Sequence, residues 1–106
     1  MFAKPHRFSF KKGVPKNTFS TSFFVMRYDR NSEAGLRCGV VVGKKVDKRA
    51  VVRNRFKRQL VAFVKELLGQ DKKYNLVIIA KKQIKDVEHD QVKEELKKAF
   101  LTIHIL

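Results

Sequence analysis

Between Gly43 and Leu68 apolar residues fall at Val52, Phe56, Leu60, Phe63, Val64 and Leu67. Steps of three and four put them on one stripe of an α-helix, and this segment is predicted as the main helix. Asp47 is its predicted N-cap and Gly69 its C-terminal stop. Upstream, Thr18 to Tyr28 is rich in β-branched and aromatic residues and reads as one strand. Its alternation sets Phe19, Phe23 and Val25 on one face, and Ser20, Ser22, Phe24, Met26 and Tyr28 on the other. Asp29 to Gly35 reads as a turn that makes the next strand, Leu36 to Val42, antiparallel to the first. That strand alternates Leu36, Cys38, Val40 and Val42 against Arg37, Gly39 and Val41, and Gly39 and Gly43 suggest close approach of another backbone. Tyr74 to Ala80 is a continuous apolar run of strand length, the pattern of a buried central strand. From about Glu88, Val92, Leu96, Ala99, Phe100 and Ile103 form a second helical stripe, opposed by mixed charges.

The order strand, strand, helix, strand, helix predicts an α+β fold: a small two-layer sandwich of a mostly antiparallel sheet with a basic central helix and a C-terminal helix. The strands flanking the main helix are candidates for parallel neighbours joined by a crossover. At 106 residues the chain makes one domain, residues 1–106, preceded in its first 17 residues by a basic segment broken by Pro5, Gly13 and Pro15.

Charge changes the picture most. Lysine and arginine number 25 against 10 acids, a formal net charge of +15. The first half of the main helix carries Arg49, Arg53, Arg55, Lys57 and Arg58, with Lys44, Lys45 and Lys48 just upstream, and Asp47 is the only acid from Gly43 to Gln59. A merely solvated face would mix signs so that Glu and Lys pair at i,i+4; this one mixes only at Lys65 and Glu66. Holding like charges together is destabilising, so a polyanion is the expected partner. Asn54, between two arginines, can both donate and accept hydrogen bonds. A membrane surface fits less well, because the apolar stripe is needed for the domain's own sheet. No apolar run approaches a membrane span and the N-terminus has no signal-like core. The lone Cys38 allows no internal disulfide and suits a reducing, cytoplasmic setting.

Side chains suited to catalysis are scarce. His6, His89 and His104 are scattered, and Cys38 reads as a small core hydrophobe. Asp86, Glu88, Asp90, Glu94 and Glu95 gather near the last helix, where helix pairing and dipole compensation account for them better than a hydrated Mg²⁺ does. The basic face lacks the converging carboxylates a metal-dependent nuclease needs. On these residues the protein binds RNA or DNA without cutting it.

The run Lys44-Lys45 followed by Arg49-Ala50-Val51-Val52-Arg53-Asn54-Arg55-Phe56-Lys57-Arg58 resembles the signature of the protein subunit of bacterial ribonuclease P. The resemblance extends in element order from about Phe10 to Phe100. It implies a fold shared with a ribosomal protein domain and containing a left-handed βαβ crossover, against the usual handedness. It also implies that the catalytic groups and the Mg²⁺ of the holoenzyme reside in a partner RNA that removes the 5′ leader from precursor tRNA. No cofactor on the protein, no membrane and no obligate protein partner are implied. Carried over by position, Lys44, Lys45, Lys48, Arg49, Arg53, Asn54, Arg55, Lys57 and Arg58 would face the catalytic RNA. Phe10-Lys11-Lys12-Gly13 is similar to the end of the family's first helix. With Phe8, Phe24, Met26 and Tyr28 it would border a cleft for the single-stranded leader, where unpaired bases stack on aromatics. The other readings are a structural RNA-binding protein of the ribosome or its assembly and, less well matched, a DNA binder. The latter lacks a helix ahead of the basic one to form a helix-turn-helix.

Overall fold

The computed structural model describes residues 13, 15–31, 35–69 and 72–105. Strands β1 (Asn17–Ser20), β2 (Phe24–Arg30), β3 (Arg37–Val41) and β4 (Tyr74–Ala80) form one sheet in the order β1-β2-β4-β3. Helix α1 (Ala50–Leu67) links β3 to β4, and a 3-10 helix (Lys82–Asp86) leads from β4 into α2 (His89–Thr102). β1–β2 and β2–β4 pair antiparallel, whereas β3 runs parallel to β4, so α1 is a crossover between adjacent strands. The predicted mostly antiparallel α+β sandwich is the observed one, as is the parallel pairing across the main helix.

One strand reading needs correction. The expected single strand Thr18–Tyr28 is a hairpin, broken at Thr21. The Thr21 hydroxyl oxygen accepts the N–H groups of Phe23 (3.1 Å) and Phe24 (3.2 Å), and the Thr21 N–H donates to the Phe24 carbonyl (2.9 Å). A threonine side chain that satisfies backbone donors competes with strand continuation. The chain reversal also puts Phe19 opposite Met26, on the Phe24 face rather than with Val25. β3 runs antiparallel in sense to β2, as expected, and β4 lies between them. β4 is apolar on both faces and takes the buried central place, with Leu76, Val77 and Ile78 all at 0% exposure.

The pairing registers assign side chains to two faces of the sheet. Phe24, Met26, Leu76, Ile78, Cys38 and Val40 point to one, where they pack with Leu60, Val61 and Val64 of α1 and Val92, Leu96, Ala99 and Phe100 of α2. Val61 and Leu68 belong to this core although the sequence stripe omitted them. Burial pushes the Cys38 thiol up to about 12, which leaves it a protonated core side chain. The opposite face carries Val25, Arg27, Asp29, Val77, Ile79, Asn75, Gly39, Val41 and Arg37. There Val25 and Ile79 are half-buried and Val41 is exposed, and the Pro15 carbonyl accepts the Arg27 Nε–H at 2.9 Å.

Both helix ends differ from their sequence signals. Leu68 closes α1 in an extended conformation (φ −122°), with its N–H on the Val64 carbonyl, and Gly69 has no positive φ. A Cβ built on Gly43 meets nothing within 4 Å, so no neighbouring backbone demands that glycine. α2 ends in a left-handed residue, and that residue is His104 at φ 61°. The Ile105 N–H reaches the Phe100 carbonyl (3.0 Å) and the His104 N–H the Leu101 carbonyl (3.2 Å), while Ile105 is buried. This is the glycine-type helix stop with a Cβ in it. Since His104 is exposed, His104→Gly is expected to stabilise the domain by about 0.5–1 kcal/mol. A urea midpoint that falls in the variant would refute this.

Candidate nucleic-acid interface

The basic segment is built on a turn that precedes α1. The Val46 N–H closes it on the Gly43 carbonyl at 3.0 Å. Val46 is buried at 4% exposure and anchors the turn to the core, while Lys44, Lys45 and Lys48 on either side stay exposed. The helix begins at Ala50, with Arg49 as the extended N-cap residue making no side-chain cap bond. Asp47 is therefore not the N-cap. Its carboxylate instead takes the Arg49 N–H at 2.8 Å, two residues on, as an Asx-turn does. The first turn of α1 contains no acid, so the positive end of the helix dipole adds to the lysines and arginines around it.

Asp47 is the buried polar residue of this region, at 7% exposure. Its Oδ1 also accepts the Arg49 Nε–H (3.1 Å), and its Oδ2 accepts Arg49 Nη2 (3.1 Å) and Lys85 Nζ (2.8 Å). The hydrogen bonds from Arg49, with that from Lys85, hold the carboxyl well below the usual carboxylate range against the opposing pull of desolvation. Since the folded-state value is depressed, its stabilisation is complete above the ordinary carboxylate pKa of about 4. It is lost only as pH falls below that, through the lower folded value. The stability difference between wild type and D47N is therefore expected to hold constant from about pH 7 to about pH 5 and to shrink below about pH 4. Urea midpoints at pH 7, 5 and 3 measure it; a difference that shrinks already between pH 7 and 5 would contradict the assignment.

On α1 itself Val51, Asn54, Arg55 and Arg58 lie three and four residues apart and are all exposed, forming one ridge opposite the buried Leu60, Val61 and Val64. Arg55 and Arg58 have no hydrogen-bond or ion-pair partner among the described residues. Val51, 68% exposed, adds an apolar contact to that ridge which charge counting did not select. Arg53 and Lys57 are half-buried, in line with the buried stripe of Leu60 and Val64 rather than with that ridge. Arg53 is engaged: its Nη1 donates to the Asp47 carbonyl at 3.1 Å and the Lys48 carbonyl at 2.8 Å. Lys44, Lys45, Lys48, Asn54, Arg55 and Arg58 are thus all exposed within one short stretch of chain, with Arg49 tied to Asp47 and Arg53 closing the turn.

The residues expected to border a leader cleft separate. Phe8, Phe10, Lys11 and Lys12 lie outside the described residues. Phe24 and Met26, both at 0% exposure, sit in the core beneath the helices and have no surface to offer a base; that expectation is corrected. Tyr28 is half-buried on the same face. Period-2 alternation separates two faces of a strand but does not say which one the helices cover.

Among the described residues no three His, Cys, Asp or Glu side chains are grouped so as to hold a metal ion, and no helix is long and apolar enough to cross a membrane.

A sheet-and-helix domain with a helix whose first half is cationic and an exposed lysine turn before it belongs to the class of nucleic-acid-binding proteins. Its family is narrower. The Ribonuclease P family model matches residues 3–104. The ribonuclease P protein component of Mesoplasma florum is 34% identical over 94 residues, spanning 86% of this chain and 84% of that protein. That of Bacillus cereus is 36% identical over 88 residues, spanning 82% and 74%. Among solved structures, a Staphylococcus aureus RNase P protein mutant superposes with a TM-score of 0.79 at 22% identity, covering 97% of this chain and 92% of that one. The chain belongs to the ribonuclease P protein family: it is a protein component of the ribonuclease P ribonucleoprotein, acting in tRNA processing with the ribonuclease P RNA.

Proposed function

We propose that the exposed ridge of α1 and the lysine turn before it bind the ribonuclease P RNA through its phosphates, and that the RNA carries the catalytic groups and Mg²⁺ for removing the 5′ leader of precursor tRNA in the cytoplasm. The observation that carries this reading is the exposure of Lys44, Lys45, Lys48, Asn54, Arg55 and Arg58 within a stretch of chain whose sole acid, Asp47, is buried. Each phosphate neutralised there releases counterions, which supplies affinity at physiological salt.

The precursor's single-stranded leader is assigned to the sheet face away from the helices. Val25, Val41 and Ile79 offer partly exposed apolar surface there, and Arg27 and Arg37 line it with cations. An apolar floor with basic flanks suits bases without pairing partners and the backbone that joins them. The role of the protein is then to hold the precursor on the ribozyme and to screen phosphate repulsion, so that less Mg²⁺ is required.

The test is cleavage of precursor tRNA by a bacterial ribonuclease P RNA at low, near-physiological Mg²⁺, with and without this protein. Stimulation by the protein supports the proposal. No stimulation, together with tight binding to ribosomal RNA, would favour a structural RNA-binding role. Cleavage with no RNA subunit present would overturn the assignment of catalysis to the RNA.

A further inference from the structure

We propose that Asp47 is the positioning residue of the RNA-binding surface: its buried carboxylate sets the lysine turn and the start of α1 in the arrangement that the ribonuclease P RNA recognises. This rests on the RNA-binding reading above and adds to it a group that cannot itself touch a phosphate favourably.

Asp47 is an electrostatic anomaly. A surface that binds a polyanion loses affinity from any acid placed in it, yet an acid stands in the middle of the most basic stretch of the chain. The structure shows what it does there. Asp47 receives four hydrogen bonds, three from Arg49 and one from Lys85, so both carboxylate oxygens are occupied. Its own carbonyl is held by Arg53, which also holds that of Lys48. One residue therefore ties together the turn, the first turn of α1 and the 3-10 helix that follows β4.

Without the carboxylate, Arg49 and Lys85 would repel each other and the nearby Lys48 and Arg53. Nothing else in the stretch from Gly43 to Gln59 carries negative charge to gather them. Arg49 is 73% exposed at its side chain and Lys85 39%. Their cationic groups thus remain at the surface while their geometry is dictated from beneath. A charge-assisted, bidentate arginine–carboxylate pair fixes orientation as well as distance, which is what presenting several cations to a phosphate pattern requires.

Charge and position make opposite forecasts. D47N adds one unit to the net charge of +15. Were Asp47 only a repulsive neighbour, D47N would bind every RNA more tightly. As a positioning residue, D47N is expected to bind the ribonuclease P RNA about five- to tenfold more weakly, and poly(U), which needs no fixed register, as tightly as wild type or more so. D47E, which keeps the charge, is expected to recover part of the loss. In a double-mutant cycle, K48A is expected to cost less in the D47N background than in wild type.

The experiment is filter binding of wild type, D47N, D47E, K48A and the D47N/K48A pair to a bacterial ribonuclease P RNA and to poly(U), below the thermal midpoint of each variant. Weaker D47N binding to ribonuclease P RNA alone, with rescue by D47E, supports the inference. Tighter or unchanged D47N binding to both RNAs, or equal loss on both, overturns it. Failure of wild type to bind ribonuclease P RNA more tightly than poly(U) would instead bring down the underlying function, and this inference with it.

Discussion

Phe24→Ala is expected to lower the stability of the domain by about 3–5 kcal/mol, the usual result of emptying a buried phenylalanine site. The ring is wholly inaccessible and lies in the cluster that joins β2 and β4 to both helices. Removing it takes apolar surface out of the core and leaves a cavity that the surrounding strand pairings resist collapsing, since β2 is held on both sides by β1 and β4. Domains of this size commonly have about 5–15 kcal/mol in total, so the variant is expected to sit near the edge of folding. Its Tm should fall by at least about 12 °C. RNA affinity is expected to fall only in step with the unfolded fraction, equally for precursor and mature tRNA. Urea denaturation and binding below the variant's Tm separate these effects. A variant of wild-type stability that loses precursor selectively would show that Phe24 does contact the leader.

The second large effect is expected from the exposed ridge. The double substitution R55A/R58A removes two cations that have no partner among the described residues. It should leave Tm within experimental error of wild type, because neither side chain supports the core. Affinity for ribonuclease P RNA is expected to drop about tenfold to a hundredfold near 0.1 M salt, with the slope of log K against log salt flattened by about 1.5–2. R53A should behave differently. Its guanidinium holds the carbonyls of Asp47 and Lys48, so its loss is expected to lower Tm along with affinity. An R55A/R58A protein with unchanged affinity and slope would remove α1 from the interface; R53A matching it in both Tm and affinity would dissolve the distinction between contact and clamp.

Features that depend on local sequence were the ones legible in advance. α1 and α2 were readable because an apolar stripe recurring every three to four residues leaves little choice of structure. The centrality of β4 was readable because Tyr74–Ala80 has no polar face to give to water. The Thr21 break was harder to see: it turns on one hydroxyl satisfying two backbone donors, and the flanking β-branched and aromatic residues favour a strand on either side. His104 as a helix stop was likewise concealed, since the left-handed position is ordinarily marked by glycine.

The candidate site divides along the same line. The concentration of cations between Lys44 and Arg58, its one embedded acid and its polyanion partner follow from residue types and spacing, and so does the solvent-facing side of α1 opposite Leu60 and Val64. Only the tertiary structure decided which of those cations are free and which are engaged. Lys85 is 38 positions from Asp47 along the chain, and no local pattern announces a pairing made by the meeting of a turn with a 3-10 helix. The sheet faces were decided in the same way. Alternation distinguishes Phe24 and Met26 from Val25 and Arg27, but only the packing of α1 and α2 determines which set lies beneath the helices. Residue order along a strand or helix is a local quantity; burial and ion pairing depend on what arrives from elsewhere in the chain.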